Sequence, residues 1–166
     1  MTQEEITTLR AKNTDKFLEL RTHVQWAAFA FQDSCFGRGF YFRVSEAYRT
    51  QERQNILYAQ GRWMPGKKVT WTLTSNHTAR FAIDVYPLNC KHDQIAPIAA
   101  LFGITHPLKD DPPHYEFTDV GEMPVQVAPL HVQLSQKIRA LKRSKGLRLK
   151  SLTRAIDRLK KMLGMI

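Results

Sequence analysis

Asp84 interrupts the apolar run Phe81-Ala82-Ile83-Asp84-Val85. Such a run reads as a strand, and a carboxylate inside it loses solvation unless it meets a partner. The chain must therefore bring a cation, a metal or a donor to that point. Arg80 can serve as that partner, and so can a metal ion. The elements around the run set the fold class. Thr14 to Cys35 is dense in apolar residues with no Gly or Pro and reads as one helix, ended by Gly37 and Gly39. Phe40 to Ser45 reads as a strand, and Gln51 to Gln60 as a helix capped by Thr50 and followed by Gly61. Trp63 to Lys68 is a loop, whereas Val69 to Thr74 and Phe81 to Tyr86 read as strands flanking His77. Asp93 caps a helix to Phe102, Pro107 to Pro113 is a loop, and His114 to Phe117 is a short strand. Helices and short strands without regular alternation predict an α+β fold with a small antiparallel sheet.

Charge divides the chain in two. Residues 131–166 hold eleven Lys or Arg and one acid, Asp157, whereas the first 130 residues hold 14 bases and 14 acids. The predicted organisation is thus a neutral domain, 1–130, and a basic helical tail, 131–166. Leu134, Ile138 and Leu141, then Leu152, Ile156, Leu159 and Leu163, give the tail two amphipathic stripes about Gly146. A segment of that charge suits an anionic envelope surface, such as lipopolysaccharide or phospholipid, as well as packing against the domain. Nucleic acid is the less favoured partner. No apolar stretch is long enough to span a bilayer. The N-terminus MTQEEITTLRAKNTDKF has no apolar h-region, so no signal peptide is expected. Cys35 and Cys90 form no Cys-x-x-Cys pair and are expected to be reduced.

Hydrolytic zinc sites use three protein ligands and leave a position for water. His77 and Asp84 stand as His-x6-Asp, and Asp111-Pro112-Pro113-His114-Tyr115-Glu116-Phe117 offers a second His with a carboxylate three residues before it. Each signal alone favours a structural reading. In combination, Ser75-x-His77-x4-Ala82-x-Asp84 followed by Asp111-x-x-His114 resembles the zinc peptidases related to D-alanyl-D-alanine carboxypeptidases and dipeptidases, whose fold the hedgehog signalling domain shares. The stretch Ser45-Glu46-Ala47-Tyr48-Arg49-Thr50-Gln51 through Gly61-Arg62 resembles the L-alanyl-D-glutamate endopeptidase branch, which includes phage endolysins.

The resemblance covers roughly residues 18–118. It implies zinc (Zn2+) held by His77, Asp84 and His114, with Asp111 as the catalytic base. Arg49 would act on substrate or oxyanion, and Ser75 would support the site. The implied activity is hydrolysis of the L-Ala–D-Glu bond in peptidoglycan. The implied setting is a bacteriophage endolysin held in the host cytoplasm before lysis. The alternatives are a D-Ala-D-Ala carboxypeptidase or dipeptidase, and a non-catalytic metal-stabilised module with an anion-binding tail. Arg80 stands where relatives usually have glycine, and Trp71-Thr72-Leu73-Thr74 replaces a glycine-rich turn. Asp110 is a weaker alternative base. Glu116 shares the His114 face of its strand and either orients a ligand or lies at the sheet surface. His92 and His106 are not expected to be ligands, and Trp63 and Trp71 are read as packing residues.

Overall fold

Two N-terminal helices wrap a small sheet in the computed structural model, which describes residues 1–106 and 111–122. The predicted tail, 131–166, and Asp110 lie outside the described residues. Helix α1 (Gln3–Phe17) starts at a capping box in which Thr2 and Glu5 satisfy each other's backbone N–H, and Glu4 and Glu5 suit the positive end of the helix. Helix α2 (Thr22–Phe36) buries Phe29, Phe31, Cys35 and their neighbours.

The single helix expected over Thr14–Cys35 is therefore two. No Gly or Pro marks the break, because side chains make it. The buried amide of Gln25 donates to Leu20 O at 2.9 Å, and Arg21 turns its backbone N–H to Arg80 O and its guanidinium to Ala79 O. Carbonyls and N–H groups released from helical bonding are thus satisfied from elsewhere.

The sheet consists of β1 (Phe42–Glu46), β2 (Ala82–Pro87), β3 (Ile104–Thr105) and β4 (His114–Phe117), antiparallel throughout, in the order β1-β2-β4-β3. The α+β expectation holds. Ile83, Val85, Tyr115 and Phe117 point into the core, while Asp84, His114 and Glu116 take the opposite face. Phe31 stacks on Phe42 at 4.9 Å and on Tyr115 at 6.0 Å, tying α2 to both β1 and β4. Asn13, fully buried in α1, donates to Gln32 Oε1 and Phe42 O and accepts from Val44 N–H, so one amide joins α1, α2 and β1.

Helix α3 (Gln51–Ala59) has its predicted Thr50 cap, which accepts from Arg53 N–H. Helix α5 (His92–Ala100) starts two residues earlier than expected: Lys91, not Asp93, is the cap position, and Asp93 falls in the first turn. The expected strand Val69–Thr74 is absent. Thr70 Oγ1 accepts from Thr72 N–H and Thr72 Oγ1 from Thr74 N–H, and these local bonds bend the backbone where a ladder would straighten it. Trp63 and Trp71 do not pack inward as expected but stand 71% and 80% exposed. Both cysteines are free. No helix among the described residues is long and apolar enough to cross a membrane.

Candidate metal centre

His77 comes from a single helical turn, α4 (Asn76–Ala79), capped by Ser75, whose hydroxyl accepts from His77 N–H at 3.2 Å. That bond explains the Ser-x-His spacing: the serine fixes the turn that carries the histidine. The His77 carbonyl accepts from Arg49 N–H at 3.3 Å, which ties the turn to the segment after β1. The turn ends at Arg80 with φ 68° and ψ 37°, the left-handed conformation that glycine adopts without strain. Arginine is held there by its side chain, which stacks over Tyr48 at 4.0 Å and donates to Glu19 O at 3.1 Å.

Asp84 and His114 face each other as direct register partners on β2 and β4. His77 Nε2 lies 3.1 Å from Asp84 Oδ1 and 3.2 Å from His114 Nδ1, and His114 Nδ1 lies 3.5 Å from Asp84 Oδ1. Four-coordinate zinc with bonds near 2.1 Å separates its ligand atoms by about 3.4 Å, so the donor set fits such an ion. Tautomers strengthen the fit. His77 Nδ1 faces Ala47 O at 3.3 Å, and His114 Nε2 faces Glu116 Oε1 at 2.8 Å. Both partners accept, so both ring protons point away from the centre and leave lone pairs on the inward nitrogens.

Three lone-pair atoms at these separations repel one another unless a cation sits among them. In the metal-free chain a proton takes that part. Burial disfavours a charged His114, but hydrogen bonds to Asp84 and Glu116 outweigh it and raise its pKa above 6.5. Burial likewise opposes an ionised Asp84, yet hydrogen bonds from His114 and His77 hold its carboxyl well below the usual range. Glu116 is lowered in the same way, burial being outweighed by hydrogen bonds from His114 and Asn76. Arg80, the other partner considered for Asp84, points to Tyr48 and Glu19 instead.

The three donors open into a cleft of about 740 Å³ that Asp111 and Arg49 also line. Asp111 is exposed and begins a turn whose carbonyls are all engaged. Asp111 O accepts from His114 N–H, Pro112 O from His106 Nε2 at 2.6 Å, and Pro113 O from Val85 N–H at 2.7 Å. His106 stacks on Tyr115 at 4.6 Å and on His92 at 5.2 Å. It braces the turn carrying Asp111, a role its isolated position in the sequence did not signal.

Arg49 is clamped by Glu46 Oε2 and by Gln54 Oε1, the latter at 2.8 Å. Glu46 supplies the negative charge that lets an arginine stand just before a helix start. Gln54 was not identified from the sequence, since one polar residue in an amphipathic helix carries no signal. Glu116 could be found from its two-residue spacing after His114 on a strand.

The α+β fold thus brings His77, Asp84 and His114 together at an open cleft as a donor set of the kind that holds a metal ion. No protein-family model matches the chain, and no curated protein matches it. Among solved structures, the crystal structure of the Serratia marcescens L-Ala D-Glu endopeptidase ChiX is similar, with a TM-score of 0.49 and 20% identity over 65% of this chain and 87% of that one. At that level the likeness is a partial overlap of secondary structure and no more.

Proposed function

We propose that the chain is a zinc-dependent peptidoglycan peptidase that hydrolyses the L-Ala–D-Glu bond of the stem peptide, with His77, Asp84 and His114 as metal ligands. The observation that carries this reading is the convergence of three outward-protonated or ionised donors at tetrahedral spacing in a cleft that the exposed Asp111 also lines. A structural zinc site is closed and has no need of such a neighbour. The bond assignment rests on the sequence resemblance through Ser45 to Arg62 and the Asp111-x-x-His114 spacing.

His77, Asp84 and His114 would hold a zinc ion there, and it would supply polarisation of a carbonyl and a lowered pKa for water. The chain's own residues do the rest. Asp111, on its pinned turn, accepts the proton from the attacking water and returns it to the leaving amine. Arg49 aims a cation at the carbonyl oxygen as it gains charge, held by Glu46 and Gln54 so that little reorganisation is needed. Ala47 O and Glu116 keep both imidazoles in the tautomer and orientation the metal requires. Residues 131–166, with their excess of positive charge, would hold the enzyme on anionic envelope surfaces, and an endolysin acting at lysis is the setting that suits this combination.

The deciding experiment is mass spectrometry of fragments released from purified peptidoglycan, with a chelated control. Metal-dependent release of stems beginning at D-Glu is expected. Release of D-Ala or D-Ala-D-Ala instead would move the activity to the stem terminus. No release by zinc-loaded protein would refute the enzymatic reading. Deleting residues 131–166 should weaken binding to cells and sacculi, and unchanged binding would refute the role given to the tail.

A further inference from the structure

The segment between α3 and the His77 turn carries positive charge and exposed apolar side chains together. No acid lies between Glu52 and Asp84, a stretch that holds the bases Arg53, Arg62, Lys67, Lys68 and Arg80. Three of these cations are engaged within the domain. Arg53 pairs with Glu46, Arg80 stacks over Tyr48, and Arg62 stacks over Tyr58 while donating to Thr70 O at 3.1 Å. Lys67 and Lys68 form no salt bridge among the described residues, and Lys68 Nζ lies 4.3 Å from the centre of the Trp71 ring. Trp63 packs edge-on against Tyr58 at 5.7 Å, so Tyr58 and Arg62 link it to the backbone beside Trp71. That backbone is fixed. Gly61, at φ 73°, stands so close to Lys68 that a Cβ there would meet its N at 2.4 Å. Gln54 donates to Thr72 O at 2.7 Å and Gln51 to Leu73 O at 2.8 Å. Thr70, Thr72 and Thr74 line the cleft, whereas Trp71 and Leu73 between them do not. Met64 and Leu73, near neighbours of the two exposed indoles, are themselves 44% and 49% exposed.

We propose that this face, with Trp63, Met64, Lys67, Lys68, Trp71 and Leu73, docks the domain on the interface of an anionic phospholipid bilayer. The inference goes beyond the peptidase reading and needs neither a metal nor residues 131–166. Charge gives the sign of the partner. Two ammonium groups without a carboxylate partner, in a stretch that holds no acid, attract an anionic surface. They repel a second copy of the same face, and they repel residues 131–166, which are also basic. The apolar side chains give the partner's class. Indoles settle at the headgroup level of a bilayer, and lysine stems lie along apolar surface while their ammonium groups reach the phosphates. The Lys68–Trp71 pair has that arrangement already. A nucleic acid would stack on the indoles and pair with the lysines, but it would leave Met64 and Leu73 in water. Because the backbone is bonded in place, docking costs little ordering. The face that docks is the back of the cleft wall, so the metal centre stays open to substrate.

The test uses the full chain and vesicles of phosphatidylglycerol with phosphatidylcholine, against phosphatidylcholine alone. Sedimentation reads binding, and quenching by lipid brominated on its acyl chains reads whether an indole reaches the bilayer. The chain has three tryptophans, so Trp63→Phe combined with Trp71→Phe leaves only Trp26 to emit. Quenching on anionic vesicles is expected in the parent and should be lost in that double variant. Lys67→Gln combined with Lys68→Gln should weaken vesicle binding about 30-fold, roughly fivefold for each cation. Trp71→Ala should weaken it about tenfold. Circular dichroism confirms that each variant is folded. Anionic vesicles that bind the parent without quenching it, or that bind the lysine variant equally, would show residues 131–166 acting alone and overturn the proposal. Absence of vesicle binding overturns it too, as does emission that responds to single-stranded DNA and not to vesicles. None of these readings involves hydrolysis, so this proposal and the peptidase reading fail separately.

Discussion

Replacing Glu116 by Ala tests the metal centre where its geometry is most specific. Glu116 Oε1 lies 2.8 Å from His114 Nε2, and its side chain is 23% exposed. It fixes which nitrogen of His114 carries the proton and keeps Nδ1 turned inward. Losing such an orienting acceptor costs about 10–100-fold in metal affinity, or about 1.4–2.7 kcal/mol. Water in the open cleft can replace the lost acceptor in part, so the lower half of that range is expected. Glu116→Gln keeps an acceptor oxygen and should lose less than Glu116→Ala. Zinc affinity measured by competition with a chromophoric chelator reads this directly, with circular dichroism to confirm the fold. If Glu116→Ala binds zinc within about twofold of the parent, the orienting role is refuted. If the parent itself binds no more tightly than about 1 mM, the three donors are not a metal centre at all.

Other expectations concern catalysis, pH and backbone strain. His114→Ala should abolish both tight zinc binding and hydrolysis, whereas Asp111→Asn should keep zinc and lose hydrolysis by about 100-fold or more; a fully active Asp111→Asn would remove Asp111 as the base. For metal-free protein, the lowered Asp84 contributes stability above pH 3.8 that is lost as pH falls, and the raised His114 contributes stability below pH 6.5 that is lost as pH rises through its folded value. The metal-free Tm should therefore fall as pH rises above about 6.5, and zinc, which needs neutral imidazoles, should raise Tm most on that alkaline side; a metal-free Tm that climbs there refutes the assignment. Arg80→Ala keeps the left-handed strain and loses the contacts to Tyr48 and Glu19, so it should be about 1 kcal/mol less stable than Arg80→Gly in urea denaturation, and equal stabilities would show that φ 68° carries no cost.

What could be read from the sequence was what local chemistry encodes. The Thr50 cap and the β2 and β4 strands follow from spacing and residue type, whereas the grouping of Ser75, His77, Asp84 and His114 came through the resemblance. What could not be read was set by distant partners. The helix break at Leu18–Arg21 depends on Gln25 and on the backbone of Ala79 and Arg80, so the local apolar pattern runs straight through it. Val69–Thr74 alternates as a strand should, but its threonines bond their own backbone and its carbonyls are taken by α3 and Arg62. The exposure of Trp71 contradicts its hydrophobicity for the same reason: its position is dictated by the polar groups that hold the residues on either side. At the centre itself, the sequence offered the histidines, the acid and, as one of two readings, Glu116 as an orienting group, but not Ala47, which contributes a carbonyl that any residue would have.

Asp84 and His114 are opposite one another because β2 and β4 pair in one register, and a slip of a single residue would send His114 to the core side of the sheet. Their separation is indifferent to how many residues connect them. The intervening stretch, with α5 and β3, can therefore gain or lose length in evolution or in the laboratory without moving the ligand pair, so long as the two strands still find the same alignment. A bound ion would in turn act as a proofreader of strand alignment, holding only those chains whose sheet had assembled correctly.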